Sequence, residues 1–159
     1  MRFVAAENTT TNVSETQLVQ MARQEEAILA QKHGLLEKIS ALLTESITAK
    51  ETLEEIIKTK GKMFIGVGAT VLVEVQVTDT ENCKRAFTES GYKDEKIKGT
   101  IEWLAKKEEM LKKQFEKISR EYAEAEGRMV QITGILKQIQ AEKKKMYENS
   151  KKQPPTISK

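Results

Sequence analysis

Between Ile97 and Met146 the chain holds a three-four apolar rhythm without a slip: Ile97, Ile101, Leu104, Glu108, Leu111, Phe115, Ile118, Tyr122, Ala125, Met129, Ile132, Leu136, Ile139, Lys143, Met146. Only Glu108 and Lys143 are polar. A repeat averaging half a heptad sets these residues on one side of a helix, as in a coiled-coil seam. So narrow a stripe must be covered by a second helix. The spacing predicts a helix over 94–149. Its outer positions carry Glu102–Lys106, Glu108–Lys112 and Glu109–Lys113, acidic residue first and four apart, the order that best supports a helix.

The partner helix lies in the first third of the chain. Ser14 with Gln17 three residues on is a capping-box pattern, and a helix is predicted over 14–59. Its expected seam is Leu18, Met21, Glu25, Ile28, Lys32, Leu35, Ile39, Leu42, Ser46, Ala49, Leu53, Ile56. A second apolar column, Ala22, Leu29, Leu36, Leu43 and Ile57, lies beside it, so the stripe is wider than a two-stranded coil requires. Helices of ~65 and ~80 Å, joined by a short insert, fold back most simply as an antiparallel hairpin. The expected fold is mainly α with a small β insert, one domain over 1–159, with 1–13 and 150–159 disordered. Gly34, Gly99, Gly127 and Gly134 interrupt the helices, read either as tolerated in a long coil or as points of compliance.

The insert, 60–93, breaks the pattern. In MFIGVGATVLVEVQV the charge falls away and Val71, Val73, Val75 and Val77 recur at period two, as in a half-buried strand. KMFIGVG reads as a short strand before it, TDTEN (78–82) as a turn, CKRAFT (83–88) as a weaker strand and SGY (90–92) as a turn into the second helix. Gly66, Gly68 and Gly91 are expected where the backbone turns tightly. Two β-hairpins result. Isolated hairpins are marginal in water and expose unpaired edges. Ile65, Val67, Val71, Val73, Val75 and Val77 are therefore expected to join strands of other subunits in an intersubunit β-barrel. A sheet folded onto the end of the coil within a monomer is the alternative.

Other classes find little support. Of the residues, 32% are charged and 5% aromatic, poor material for a compact core but suited to long helices. The net charge of +3 is spread along the chain. The cluster Lys143, Lys144, Lys145, Lys151 and Lys152 is too modest to indicate nucleic-acid binding. A single cysteine, Cys83, excludes an internal disulfide and fits a reducing compartment. No run approaches the ~20 apolar residues of a membrane span. A soluble cytoplasmic protein without membrane partner is expected. His33 has no ligand at metal spacing, Cys83 no partner base, and GVG (66–68) neither extends to GxGxxG nor belongs to a P-loop. No enzyme, metal or cofactor is predicted.

IGVGATVLVEVQVTDTEN (65–82), SGY (90–92) and IEWLAKKEEMLKKQ (101–114) carry a resemblance to the α class of prefoldin subunits, whose coiled-coil hairpin bears two β-hairpins at its joint. The match departs from that class in lacking a proline before the first glycine and in the polar CKRAFT, which suggests a divergent paralogue. The resemblance implies a heterohexamer of two α-class and four β-class subunits joined through a double β-barrel. It implies that the coil tips hold unfolded client proteins without ATP and deliver them to a group II chaperonin. The residues are consistent with this: Leu18, Val19, Met21, Ala22, Val130, Ile135, Leu136, Ile139 and Met146, with Tyr147 beyond, exceed what a seam needs near the chain ends. Ordinary coil core is the alternative for these residues, and a structural coiled-coil adaptor is the alternative for the protein.

Overall fold

The computed structural model describes residues 13–151; the expected disordered segments fall almost wholly outside them. The order is α1 (Glu15–Lys58), β1 (Lys62–Gly68), β2 (Val71–Gln76), β3 (Asn82–Ala86), β4 (Tyr92–Lys96) and α2 (Ile97–Lys151). The chain divides into two compact units, each with a stretch of both helices: residues 1–33 with 120–159, and residues 34–119.

In the first unit the helices run antiparallel, as three ion pairs show: Glu15 with Lys143, Glu25 with Arg128, Lys32 with Glu121. The capping box forms at the start of α1, where the Gln17 amide donates to Ser14 Oγ at 3.2 Å and the Ser14 amide to Gln17 Oε1 at 2.8 Å. Leu18, Ala125 and Ile132 are the buried apolar residues of this unit. The polar interruptions of the expected seam, Glu25 and Lys32, thus find charges on the facing helix, which favours one register over others.

In the second unit Lys50 donates to Glu108 at 2.6 Å, again in an antiparallel sense. Ile39, Ile97, Leu104 and Leu111 form the buried apolar set, with Ser46 and Thr100 buried beside them. Ser46 Oγ donates back to the Leu42 carbonyl at 2.8 Å, and among the described residues no buried side-chain polar atom lacks a partner.

The seam of α2 is as expected from Ile97 to Ile139, except that Phe115 is exposed. Beyond it, Lys143 and Met146 are exposed as well. The seam of α1 differs. Leu18, Glu25, Lys32, Ile39, Ser46 and Leu53 turn inward, but the column alternating with them is Ala22, Leu29, Leu36, Leu43 and Lys50. Met21, Leu35, Leu42 and Ala49, expected inside, are exposed, and of that column Ile28 and Ile56 are half-buried. Apolar residues at both i+3 and i+4 leave two readings of the period, and packing selected the second.

Helix α1 ends in a Schellman turn. The Gly61 amide donates to the Ile56 carbonyl at 3.0 Å and the Lys60 amide to the Ile57 carbonyl at 3.4 Å, with Lys60 left-handed at φ 54°. Gly61 follows at φ +87°, and a Cβ there would lie 2.3 Å from the Val77 carbonyl oxygen. Only glycine fits, and the sequence reading passed over it.

The helical glycines are different. A Cβ at Gly127 or Gly134 meets nothing within 4 Å. Gly127→Ala and Gly134→Ala are each expected to raise stability by about 0.5–1 kcal/mol, read by thermal unfolding. A loss of stability at either would mean that the glycine serves a local distortion of the helix.

Candidate functional site

The first hairpin pairs β1 with β2 antiparallel: Met63 faces Val75, Ile65 faces Val73, Phe64 faces Glu74 and Gly66 faces Leu72. The register shifts between Gly66 and Gly68, leaving Val67 as the extra residue of a bulge. The connecting residues Ala69 and Thr70 both have positive φ, 46° and 64°, a two-residue turn of the I′ kind that Asn-Gly would adopt more easily.

Both faces of this hairpin carry open apolar residues, the second beside Lys62, Glu74 and Gln76. Ile65 and Val73 are 41% and 42% exposed on one face, and Phe64 and Leu72 are 64% and 66% exposed on the other. Val67 and Val71 are exposed as well, whereas Val75 and Val77 are half-buried. Val77 lies just past β2, where its amide donates to the Gly61 carbonyl at 2.8 Å and ties the strand to the end of α1. Gly68 has φ +102° at the turn. Gly66 has no positive φ, so the tight turn expected there is instead the neighbouring bulge. At Gly91 the constraint is space: a Cβ would lie 2.5 Å from Thr88 Oγ1 and 2.8 Å from the Phe87 ring.

The second hairpin pairs β3 with β4, Cys83 facing Glu95 and Arg85 facing Lys93. YKDEK (92–96) is expected as a turn and the start of the helix. It is a strand, and α2 begins only at Ile97, whose amide donates to the Glu81 carbonyl at 2.8 Å. Charge holds this hairpin together. Arg85 binds Glu95 through two bonds of 2.6 and 2.7 Å, and its guanidinium stands 4.4 Å from the centre of the Trp103 ring. Lys93 reaches Glu95 at 2.6 Å. Arg85, and after it Lys93, hold the Glu95 carboxyl down to about 2. Thr100 Oγ1 lies 3.2 Å from Cys83 Sγ and 3.3 Å from the Glu95 carboxylate. Before β3 the Asp79 carboxylate accepts from the Glu81 and Asn82 amides at 3.0 and 2.9 Å, which closes the turn read from TDTEN.

The other open apolar surface is in the first unit. Val19 and Met21 on α1 are exposed, as are Val130, Ile135, Met146 and Tyr147 on α2. Leu18 is buried, and Ala22, Leu136 and Ile139 are half-buried against the facing helix. These four belong to the seam.

Residues 22–142 match the prefoldin family, described as prefoldin subunit. The chain belongs to the prefoldin family. Prefoldins are chaperones that assemble from several prefoldin subunits. The fold of this prefoldin is also similar to that of a filamentous prefoldin from Methanocaldococcus jannaschii solved by cryo-electron microscopy. The TM-score is 0.55 at 13% identity, over 72% of this chain and 97% of the other. No curated protein matches the chain.

In this prefoldin Ile65, Val67, Val71, Val73 and Val75, expected to assemble the subunits, share one hairpin and Val77 lies just past it; Phe64 and Leu72 are further open members outside the period-two valine pattern. The expected client residues divide into an exposed set and a seam set. No described helix is long and apolar enough to cross a membrane, and no three His, Cys, Asp or Glu among the described residues are grouped to hold a metal.

Proposed function

We propose that this prefoldin is an α-class type of subunit and an ATP-independent holdase. Its hairpins join those of β-class subunits in a heterohexamer of two α and four β chains. Its helix ends hold unfolded polypeptide for transfer to a group II chaperonin in the cytoplasm. The observation that carries this reading is the presence of two hairpins in place of one, the first with open apolar residues on both faces. A monomer would leave that surface in water, against the normal pattern of soluble proteins. The exposed apolar residues of the first unit supply the second half of the reading, adaptable side chains with no partner in the seam.

The test is direct. Val130→Ser, Ile135→Ser and Met146→Ser together should leave the native mass of the assembly unchanged. They should weaken suppression of client aggregation roughly ten- to a hundredfold, since partial burial of each of the three side chains is worth about 0.5–1 kcal/mol. Full protection by the triple variant would remove the client reading.

Assembly from copies of this chain alone is a second reading, favoured by the fold shared with a filamentous prefoldin. A structural adaptor is a third, favoured by the exposed heptad-spaced Met21, Leu35 and Leu42 on α1. Native mass with and without a co-expressed β-class subunit separates the three. A defined hexamer only with the partner supports the first, long assemblies without it the second, and a monomer or dimer in both cases the third.

A further inference from the structure

The exposed face of α2 near its C-terminal end is basic as well as apolar. Lys137, Gln140, Lys144, Tyr147 and Lys151 follow at spacings of three and four, so they form one stripe along the helix. All five are exposed, Tyr147 to 74%, and Val130, 66% exposed, continues the line one heptad earlier. Among the described residues none of the three lysines has an ion-pair partner. Glu148 adjoins the stripe and Glu142 lies off it, so lysines outnumber acids there. Lys143, off the stripe, is paired with Glu15 across the helices. Structural demand accounts for that lysine and leaves the stripe unexplained.

We propose that this stripe selects clients: it binds unfolded segments in which acidic residues are interspersed with apolar or aromatic ones. The inference rests on the holdase reading and narrows its substrate class. Lysines seven apart on a helix are about 10 Å apart, within reach of carboxylates two to three residues apart on an extended chain. Tyr147, between Lys144 and Lys151, is placed to receive an apolar side chain between those carboxylates, and Val130, one heptad before Lys137, one beyond them. Long lysine side chains adapt to many spacings, as an unfolded client demands. A polypeptide fits better than a nucleic acid, because the stripe holds a single aromatic residue, adjoins Glu148 and runs beside the exposed aliphatics of the same unit.

The experiment uses the assembled protein and one permanently unfolded acidic client, compared with the same client after amidation of its carboxyl groups. The acidic form should bind about tenfold more tightly at low salt, and the difference should close as salt rises past the screening range. Lys137→Gln, Lys144→Gln and Lys151→Gln together should abolish the preference at unchanged native mass, and the glutamate triple variant should reverse it. Val130→Ser should weaken both client forms equally. Equal binding of the two forms by the parent protein, at every salt concentration, overturns the charge selection and leaves the holdase reading standing. Binding of neither form overturns both. Displacement of the acidic client by a short single-stranded oligonucleotide at lower concentration than by an acidic peptide overturns the proposal in favour of nucleic acid.

Discussion

Aspartate at both Ile65 and Val73 is expected to reduce the assembled prefoldin to monomers while the helices persist. The two residues face each other across the first hairpin, each open to about two-fifths. Burying the part of each that is still open contributes about 0.6–1.2 kcal/mol. The variant loses both contributions and must also bring two carboxylates, directly opposed across the strands, out of water. Desolvation of the carboxylates is the larger part, and the sum weakens subunit association on the order of a thousandfold. Helix content should hold, because the buried residues of the helices, from Leu18 to Ile132, lie outside the hairpin. Native mass and far-ultraviolet circular dichroism read the two outcomes separately. Val73→Thr, nearly the same shape with one hydroxyl, is the milder control and should weaken assembly without melting the hairpin. An aspartate variant that keeps the parent mass would sink the barrel proposal and return the first hairpin to a role within one chain. Lys84 and Asp94, paired at 3.3 Å on the open face of the second hairpin, offer the opposite control. Serine at both should leave the mass unchanged, because an exposed pair contributes little.

What the sequence disclosed follows from how many readings each segment allowed. Along α2 one column of apolar residues alternates with charged ones, so a single helical face was possible and the structure adopts it. Along α1, Met21 with Ala22, Leu35 with Leu36 and Leu42 with Leu43 are adjacent apolar pairs. Each pair satisfies either seam, and only contact with α2 distinguishes them. Lys50 decides the matter in the second unit, since turning it inward places its ammonium on Glu108. The valine strand was legible because strict alternation has no helical equivalent. YKDEK was not, because its strand character lies in cross-strand charges. Glu95 finds Arg85 across the strands and Lys93 along its own strand, and Asp94 finds Lys84, none of which a one-dimensional hydropathy pattern displays. The residues expected to assemble the subunits were legible for the same reason that the valines were visible. The residues expected to hold clients were separable only by burial, which put Leu18, Ala22, Leu136 and Ile139 in the seam and left Val19, Met21, Val130, Ile135 and Met146 outside.

Acid should unfold the second unit at a pH set by two carboxylates. Lys112, and after it Lys50, hold the Glu108 carboxyl down to about 2 from the ordinary 4.5. Arg85 and Lys93 do the same for Glu95. In the unfolded chain both regain the ordinary value. Each group therefore binds more protons unfolded than folded between these limits, and stability falls as pH falls through that window. Above about pH 5 both contributions are fully present; near pH 2 both are gone. The two sites report on different parts of the unit. Lys50 and Glu108 join α1 to α2, whereas Arg85 and Glu95 close the second hairpin under Trp103. Glu108→Gln keeps a hydrogen-bonding amide between the helices but removes the titrating group. It should lower stability at neutral pH and flatten the acid limb. Arg85→Ala should instead raise the Glu95 value toward the ordinary range and move the midpoint of acid unfolding up by about half a pH unit. Circular dichroism at 222 nm follows the helices, and Trp103 fluorescence follows the hairpin, since the guanidinium stacks on that ring. Salt should weaken both effects, because the lysine partners reach solvent. An acid midpoint unchanged in Glu108→Gln and in Arg85→Ala would show that neither carboxylate governs the transition.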